Sequence, residues 1–583
     1  MKRLKAVDVV IAGAGWTGLA MAKEIVSRTA LSVSVLERGP ARTMSDYSAT
    51  MDELDYAVRL RLMQNIAEET ITHRHSARDR AAPIRQYGSF LPGTGVGGSG
   101  EHWSGMCFRY PPEMFSLATA VRERFGAARV PPDLAIQDWP VTYEQLEPYY
   151  WRAEQMIGVS GKAGNLRGKI IPGGNVFEGP RQFEYPTPPL KRSYLCSMFE
   201  EATSKIGYHP YPLPAATLSE PYKNPDGITR PGCAYCGYCD RFGCMIGAKA
   251  QPTSTLLRAI ARRNNFMLRS GAWVRRVVHK DGMAQGVWFT DSSGEQYFQP
   301  ASIVVLASWT LNNVRLLYLS RIGKRYDPTA RTGTLGRNLT HHVQGATSVF
   351  FDRPLNGFMG SGALGSVISD FEGFNGLKGD EGILRGGILL SASVGSRPIQ
   401  AFGNVPPGTA QRNWGADWKK ASLAWWDKAG GISYATEHLS YDHNYMDLDS
   451  TYTDKFGDPL LRLTLDWTDH ERRQREFAVG ISHRIARALN AQAFATAPVG
   501  RKYDAAFYQS SHIQGGAITG TSPARSVVNA YLQHWDMANL WVIGASAFPQ
   551  NGAGNPTMTA LALTYRAADI LIDRYLKAPG PLV

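Results

Sequence analysis

The stretch "VDVVIAGAGWTGLAMAKEIVSR" near the N-terminus leaves few folds open. Val7 to Ala12 are mostly apolar and β-branched, which predicts a strand buried on both faces of a parallel sheet. Gly13, Gly15 and Gly18 follow as G-x-G-x-x-G and lead into a helical pattern. The first glycine permits a tight turn, the second lets the backbone approach a pyrophosphate, and the third lets the helix pack close. Free N–H groups at the helix start favour phosphate. A second strand, "LSVSVLERG", ends at Glu37, 19 residues beyond Gly18. A carboxylate at that distance binds a ribose hydroxyl. Together these elements predict a Rossmann-like α/β domain that binds a dinucleotide.

At 583 residues the chain exceeds the size at which single cores stop growing, so a second domain is expected. Its 63 basic and 50 acidic residues leave a charge of +13, spread along the chain without long like-charge runs. That distribution argues against nucleic-acid binding and suits an acidic partner, an anionic substrate or a lipid surface. No apolar run is long enough for a transmembrane helix. The basic, apolar N-terminus imitates a signal peptide. Its glycine fingerprint marks it as folded structure, so no export signal of the chain's own is expected.

A second glycine-rich stretch, "GTGVGGSGEHW", holds five glycines between Gly93 and Gly100 and is followed by His102 and Trp103. Such a run makes a poor helix or strand and suits a backbone lying against a ligand. Near the C-terminus "SSHIQGGAITG" places His512 at the end of an extended run. Asn555 and Pro556 stand at the start of a helix that carries Thr557 and Thr559 in its first turn. Neutral imidazole can take a hydroxyl proton near pH 7, and an amide such as Asn555 can hold the same oxygen. The helix would point its positive end at that site. His341 and His342 are expected to be structural, and Cys107 and Cys196 to be ordinary buried thiols.

Residues 302 to 317 read as a buried strand, a turn and a helix, and "WVRRVV" at 273 to 278 as a strand. Residues 345 to 505 alternate over short stretches such as "LLRLTLDWT", which predicts a mostly antiparallel sheet. In "NWGADWKKASLAWWDK" Trp414, Trp418 and Trp425 share a helical face, expected to be core or, more sharply, a docking face.

Four of six cysteines fall in "CAYCGYCDRFGC": Cys233, Cys236, Cys239 and Cys244. Structural zinc calls for two separated knuckles, and disulfides between such near neighbours are strained. The C-x-x-C-x-x-C spacing leans to an iron–sulfur cluster. The interval before Cys244 departs from the ferredoxin run and fits a cluster with three thiolate ligands.

These motifs, with "DWPVTYEQLEPYYWRAE", "GRNLTHH" and "NLWVIGASAFPQNGAGNPTMTALALTYRAADIL", resemble the glucose–methanol–choline (GMC) oxidoreductases over most of the chain, least within 345 to 500. The resemblance is greatest to large subunits of membrane-bound gluconate and 2-keto-gluconate dehydrogenases. It implies FAD rather than NAD. It also implies that Gly97, Gly98, His102 and Trp103 lie along the flavin ring, with a covalent link at His102 in some members. Val274 would contact adenine, and Ala545 and Thr557 would stand beside the flavin. His512 is implied as catalytic base and Asn555 as its partner. Cys233, Cys236, Cys239 and Cys244 are implied as the source of ligands for a [3Fe-4S] cluster.

The implied substrate is a sugar acid or polyol, with D-gluconate going to 2-keto-D-gluconate. 2-Keto-gluconate and sorbitol are alternatives, as is an oxidase with structural zinc. The implied partners are a small subunit bearing the export signal and a multihaem cytochrome c that feeds quinone, on the periplasmic face of the inner membrane. The expected organisation is an FAD-binding domain over 1–345 with inserted elements, a substrate or cap domain over 346–505, and a catalytic return to the first domain over 506–583.

Overall fold

The β-branched run after the N-terminus forms a strand with Val9, Val10 and Ile11 wholly buried. In the computed structural model, residues 2–47, 65–66, 68, 70–85, 90, 92–126, 130–357, 365–379, 381–392, 403–498, 500–505 and 510–582 are described. The strands that frame the site are, in chain order, β1 (Val7–Ala12), β2 (Val33–Leu36), β3 (Tyr211–Pro212), β4 (Phe266–Arg269), β5 (Trp273–Lys280), β6 (Met283–Thr290), β7 (Gln296–Leu306), β8 (Val343–Phe350), β9 (Gly365–Ile368), β10 (Gly387–Ala392), β11 (Ala429–Thr436), β12 (Ala493–Thr496) and β13 (Met537–Val542). Five of the helices are α1 (Trp16–Arg28), α2 (Thr310–Ser320), α3 (Ala416–Trp425), α4 (Asp469–Ala488) and α5 (Thr557–Ile570).

Strands β4, β2, β1, β7 and β13 pair in that order, all parallel, as a doubly wound nucleotide-binding sheet requires. Val9 stands opposite Val33 on one side and Ile303 on the other. Strand β7 has two roles. Its second half, from Ala301, pairs with β1, while Gln296 to Pro300 pair antiparallel with β6, which carries on to β5. The meander β5–β6–β7 brings Val274 to the edge of the nucleotide crevice.

The second layer is a six-stranded antiparallel sheet in the order β12-β8-β11-β10-β9-β3. Helix α4 covers it. Thr468 and Glu471 close a capping box at its start, satisfying N–H groups that the helix leaves free. Its Ala478, Ile481 and Ile485 pack with Val349, Ile432, Leu195 and Phe199. Burying each isoleucine stabilises the layer by about 1.5–3 kcal/mol. The sheet begins earlier than the alternation after 345 suggested: β3 joins it, and the expected boundary at 345/346 falls inside β8.

The tryptophan stripe is not core. Trp414 lies before helix α3 and is 64% exposed, Leu423 is 66% exposed, and Ser422 is the one buried residue of the helix. Trp425 reaches inward to meet Phe350 edge-on. Among the described residues no helix is long and apolar enough to cross a membrane.

Candidate active site

The glycine fingerprint, the second glycine loop and the C-terminal helix open onto one cavity, with about 1400 Å³ of empty space including its mouth. Gly13, Gly15, Glu37, Gly97, Gly98, Val274, His512, Ala545 and Thr557 line it. Gly18 is buried behind the fingerprint, where a Cβ would lie 2.0 Å from the Gly13 carbonyl oxygen. Gly13 itself has φ +106°, and a Cβ there would meet the Ala307 carbonyl oxygen at 2.5 Å. Close approach of strand, turn and helix therefore demands both glycines.

The cavity fits a dinucleotide. Helix α1 starts at Gly15 with no side-chain cap and no acidic residue in its first turn, so its N–H groups stay open to phosphate. Glu37 Oε2 accepts from the Ala14 N–H (3.1 Å) and Oε1 from the Gly39 N–H (2.9 Å). Its carboxylate thus braces the turn while lining the cavity. The second loop lies directly on the first, with the Gly97 N–H donating to the Ala14 carbonyl at 2.9 Å. At the other end Ile543, Gly544 and Ala545 follow β13, and helix α5 starts at Thr557 with no side-chain cap. Its positive end therefore faces the cavity.

His512 is held from several sides. Thr340 and Gln514 exchange backbone hydrogen bonds of 3.1 and 3.0 Å, an isolated bridge in place of the expected strand end. The Trp309 indole N–H donates to the Ser511 carbonyl (3.1 Å) and the Thr310 hydroxyl to the Ile513 carbonyl (2.7 Å). Trp309 holds φ +69°, an uncommon conformation for a bulky residue, and lines the same cavity. Burial lowers the His512 pKa to about 4, so the imidazole is neutral throughout the physiological range. Asn555 is half-buried just ahead of Pro556 and Thr557, both of which line the cavity.

The Thr340–Gln514 bridge also brings in the two histidines read from sequence as structural. His341 fits that reading: Tyr503 Oη and Ser510 Oγ each lie 3.0 Å from its ring nitrogens. His342 does more, since its ring meets that of His512 edge-on at 4.9 Å. Burial holds it well below the usual pKa, and among the described residues its Nε2 has no hydrogen-bond partner. No local signal separates His342 from His341, because the contact depends on pairing across more than 150 residues. Trp309 was likewise missed, although the segment carrying it was read as a buried strand, a turn and a helix.

His102 and Trp103 stand behind the loop, outside the set of residues lining the cavity. Trp103 packs edge-on against Trp16 at 5.2 Å and donates to the Ala250 carbonyl. Its support reaches the cavity through Trp16, which lines it. His102 is buried, with no hydrogen-bond partner for Nε2 among the described residues and its pKa lowered to about 4, first by burial and then by Lys249. Its backbone carbonyl accepts from the Arg241 N–H at 2.8 Å, which ties the flavin-side loop to the cysteine segment.

Of the four cysteines of that segment, Cys239 and Cys244 are buried, Cys233 is half-buried and Cys236 is exposed. Backbone N–H groups point at two sulfurs, Tyr235 to Cys233 (3.3 Å) and Lys249 to Cys244 (3.5 Å). Tyr235 and Arg241 are both held at positive φ, +54° and +70°. Burial pushes the Cys233 thiol up to about 12, with the other three cysteines adding to the rise. Among the described residues no group of three metal-ligating side chains stands close enough to enclose an ion. The thiols and the two amides aimed at sulfur are soft-metal donor chemistry, but the side chains do not form a closed ligand set. The thiols share one neighbourhood without being gathered.

A parallel dinucleotide-binding sheet, an antiparallel second layer and an imidazole on the cavity wall define a flavoprotein oxidoreductase. The GMC oxidoreductase patterns match residues 225–344 and 440–564. The chain is 40% identical to the gluconate 2-dehydrogenase flavoprotein of Pantoea cypripedii, over 100% of this chain and 96% of that one. It is 25% identical to the fructose dehydrogenase large subunit of Gluconobacter japonicus, over 97% and 98% of the two chains. Pyridoxine 4-oxidase from Mesorbium loti shares the fold at a TM-score of 0.62 and 16% identity, over 97% and 99% of the chains. The chain belongs to the GMC oxidoreductase family, as a flavin-dependent enzyme acting on CH–OH donors.

Proposed function

We propose that the chain is the flavoprotein of a sugar-acid dehydrogenase that oxidises D-gluconate to 2-keto-D-gluconate. The observation that carries the substrate is the 40% identity, end to end, with the gluconate 2-dehydrogenase flavoprotein. Gly13, Gly15 and the start of α1 hold the pyrophosphate, Glu37 a ribose hydroxyl, and the Val274 backbone the adenine. Gly97, Gly98, Ala545 and Thr557 border the flavin end. FAD bound there supplies the two-electron acceptor for hydride.

The substrate hydroxyl faces His512. The neutral imidazole takes its proton as the carbon gives up hydride, and Asn555 holds the oxygen in line. The uncapped start of α5 favours negative charge at the flavin end. His102, set outside the cavity lining, makes no covalent bond to the flavin in this reading. Three of Cys233, Cys236, Cys239 and Cys244 would hold an iron–sulfur cluster, which would supply one-electron transfer. A small subunit, a multihaem cytochrome c and quinone complete the chain of carriers, at the periplasmic face of the inner membrane.

The test is steady-state turnover of the FAD-loaded protein with an artificial acceptor, using D-gluconate, 2-keto-D-gluconate, sorbitol and fructose, with product analysis. The highest kcat/KM for D-gluconate, with 2-keto-D-gluconate as product, is expected. A higher value for another substrate, or rapid peroxide formation in air with poor dye reduction, rejects this function. The second of these outcomes, with zinc in place of iron, is that of an oxidase.

A further inference from the structure

The stretch "GRNLTHH", residues 336 to 342, runs along the segment that carries His512. The Gly336 N–H donates to the Gly516 carbonyl (2.7 Å), the Gly516 N–H to the Arg337 carbonyl (2.8 Å), and Thr340 and Gln514 bond in both directions. The same stretch reaches the loop ahead of Asn555, where Asn338 Nδ2 donates to the Pro549 carbonyl at 2.9 Å. At its tip His341 meets Ser510, and His342 packs on the ring of His512. One strip of chain thus grips both segments that bring polar side chains to the reacting end of the cavity.

A catalytic imidazole is ordinarily aimed by a hydrogen bond at its second nitrogen. His512 lacks that bond: its buried Nδ1 has no hydrogen-bond partner among the described residues. Packing must aim the ring instead, and the ring set against it is that of His342, at 4.9 Å and 61°. His342 is itself held. It is wholly buried, so no water-sized space borders it. Gln344 Nε2 lies 3.3 Å from its Nδ1. An amide N–H only donates, so Nδ1 accepts and the ring proton sits on Nε2. The Gly552 backbone, in the loop that leads to Asn555, also acts on this ring.

We infer that His342 is a positioning residue for the base: the edge of its ring fixes the plane of His512 and closes the space behind it to water. This rests on the reading of His512 as the base and deepens it. Aim matters because a displacement of about 1 Å costs a reaction about 10²-fold. Dryness matters because water behind the ring would solvate the imidazolium and leave the base protonated over more of the pH range. The titratable neighbours of the pair are His341 and His438, both buried. Among the described residues no charged side chain acts on His512. Access of water therefore sets where the base titrates.

The test is the pH dependence of kcat and KM in the FAD-loaded enzyme, with the best substrate of the panel above and flavin counted per chain. His342→Ala is expected to lower kcat at least about tenfold, with KM within about threefold of wild type. The acid limb of its kcat/KM profile is expected to move from about 4 toward the unperturbed value of about 6.5. His342→Phe puts a ring in the same place that can carry no proton, and is expected to keep the wild-type acid limb and most of kcat. If His342→Ala fails to fold, as judged by lost flavin, Gln344→Ala decides. Loss of that tether is expected to lower kcat severalfold at unchanged KM, and a wild-type kcat there overturns the inference. So does a wild-type kcat and acid limb in a folded His342→Ala, or a His342→Phe enzyme as slow as His342→Ala. Those outcomes leave the base in place. Full turnover in His512→Ala overturns the base, and this inference with it.

Discussion

The histidine site and the cysteine segment lie on the same scaffold and treat charge in opposite ways. Around His512 the fold gathers imidazoles and keeps them neutral: burial takes His341 to a pKa of about 3 and His512 to about 4. Around Cys239 and Cys244 it buries the side chains of Lys249 and Arg230 and binds them through backbone carbonyls. The first region keeps its imidazoles neutral, whereas the second buries cationic side chains beside thiols.

That contrast can be broken most forcefully at His512. His512→Ala is expected to lower the anaerobic rate of flavin reduction by substrate about 10²–10⁴-fold, while flavin per chain stays at the wild-type value. Stopped-flow absorbance and flavin analysis check both halves, and a wild-type rate refutes the role of His512. Asn555→Ala is expected to cost less, about 10–10²-fold in kcat/KM, because orientation is lost while the base remains.

Acid sharpens the same contrast through stability. His102, His341, His512 and His534 all titrate in the folded chain at about 3–4, below their unfolded value of 6.5. Below pH 6.5 the unfolded chain binds protons that the folded one refuses. Stability therefore falls as pH drops from about 6.5 toward 4, by at most about 1.4 kcal/mol per pH unit for each such histidine. Denaturant melts across that interval check the slope, and a flat profile refutes the neutral-histidine picture. The smallest expected effect is Trp309→Phe. It loses the bond to the Ser511 carbonyl and slows turnover severalfold, with a rise in KM smaller than the fall in kcat.

Much of this was legible in local pattern. The fingerprint Gly13-x-Gly15-x-x-Gly18, the carboxylate at Glu37, the Val274 strand and the start of the last helix at Thr557 are short-range signals, because each is one turn or one strand end. His512 lines the cavity as expected. What local pattern did not reveal depends on contacts between distant segments. His342 reaches His512 through the Thr340–Gln514 bridge. His102 lies outside the cavity lining, in a backbone stretch that Lys249 and Arg241 bind on either side of it and at it. The Trp414 region has helical periodicity, yet periodicity does not say whether anything covers the face it creates. Lys249 looked like any lysine, since the four carbonyls it binds come from two loops far apart in sequence.

Strand β7 has a consequence for how the protein is made. Its Val304–Leu306 end is flanked by the first strand of the fold on one side and by β13, near the end of the chain, on the other. At ~5–20 residues per second, roughly half a minute to two minutes of synthesis separates the first of these strands from the last. From the emergence of β7 until β13 follows, about 12–46 s at that rate, the middle of the sheet presents a bare, apolar edge, the kind that pairs with other chains. The growing polypeptide is therefore exposed to aggregation until its last fifty or so residues emerge, and any product cut short before β13 keeps that edge permanently.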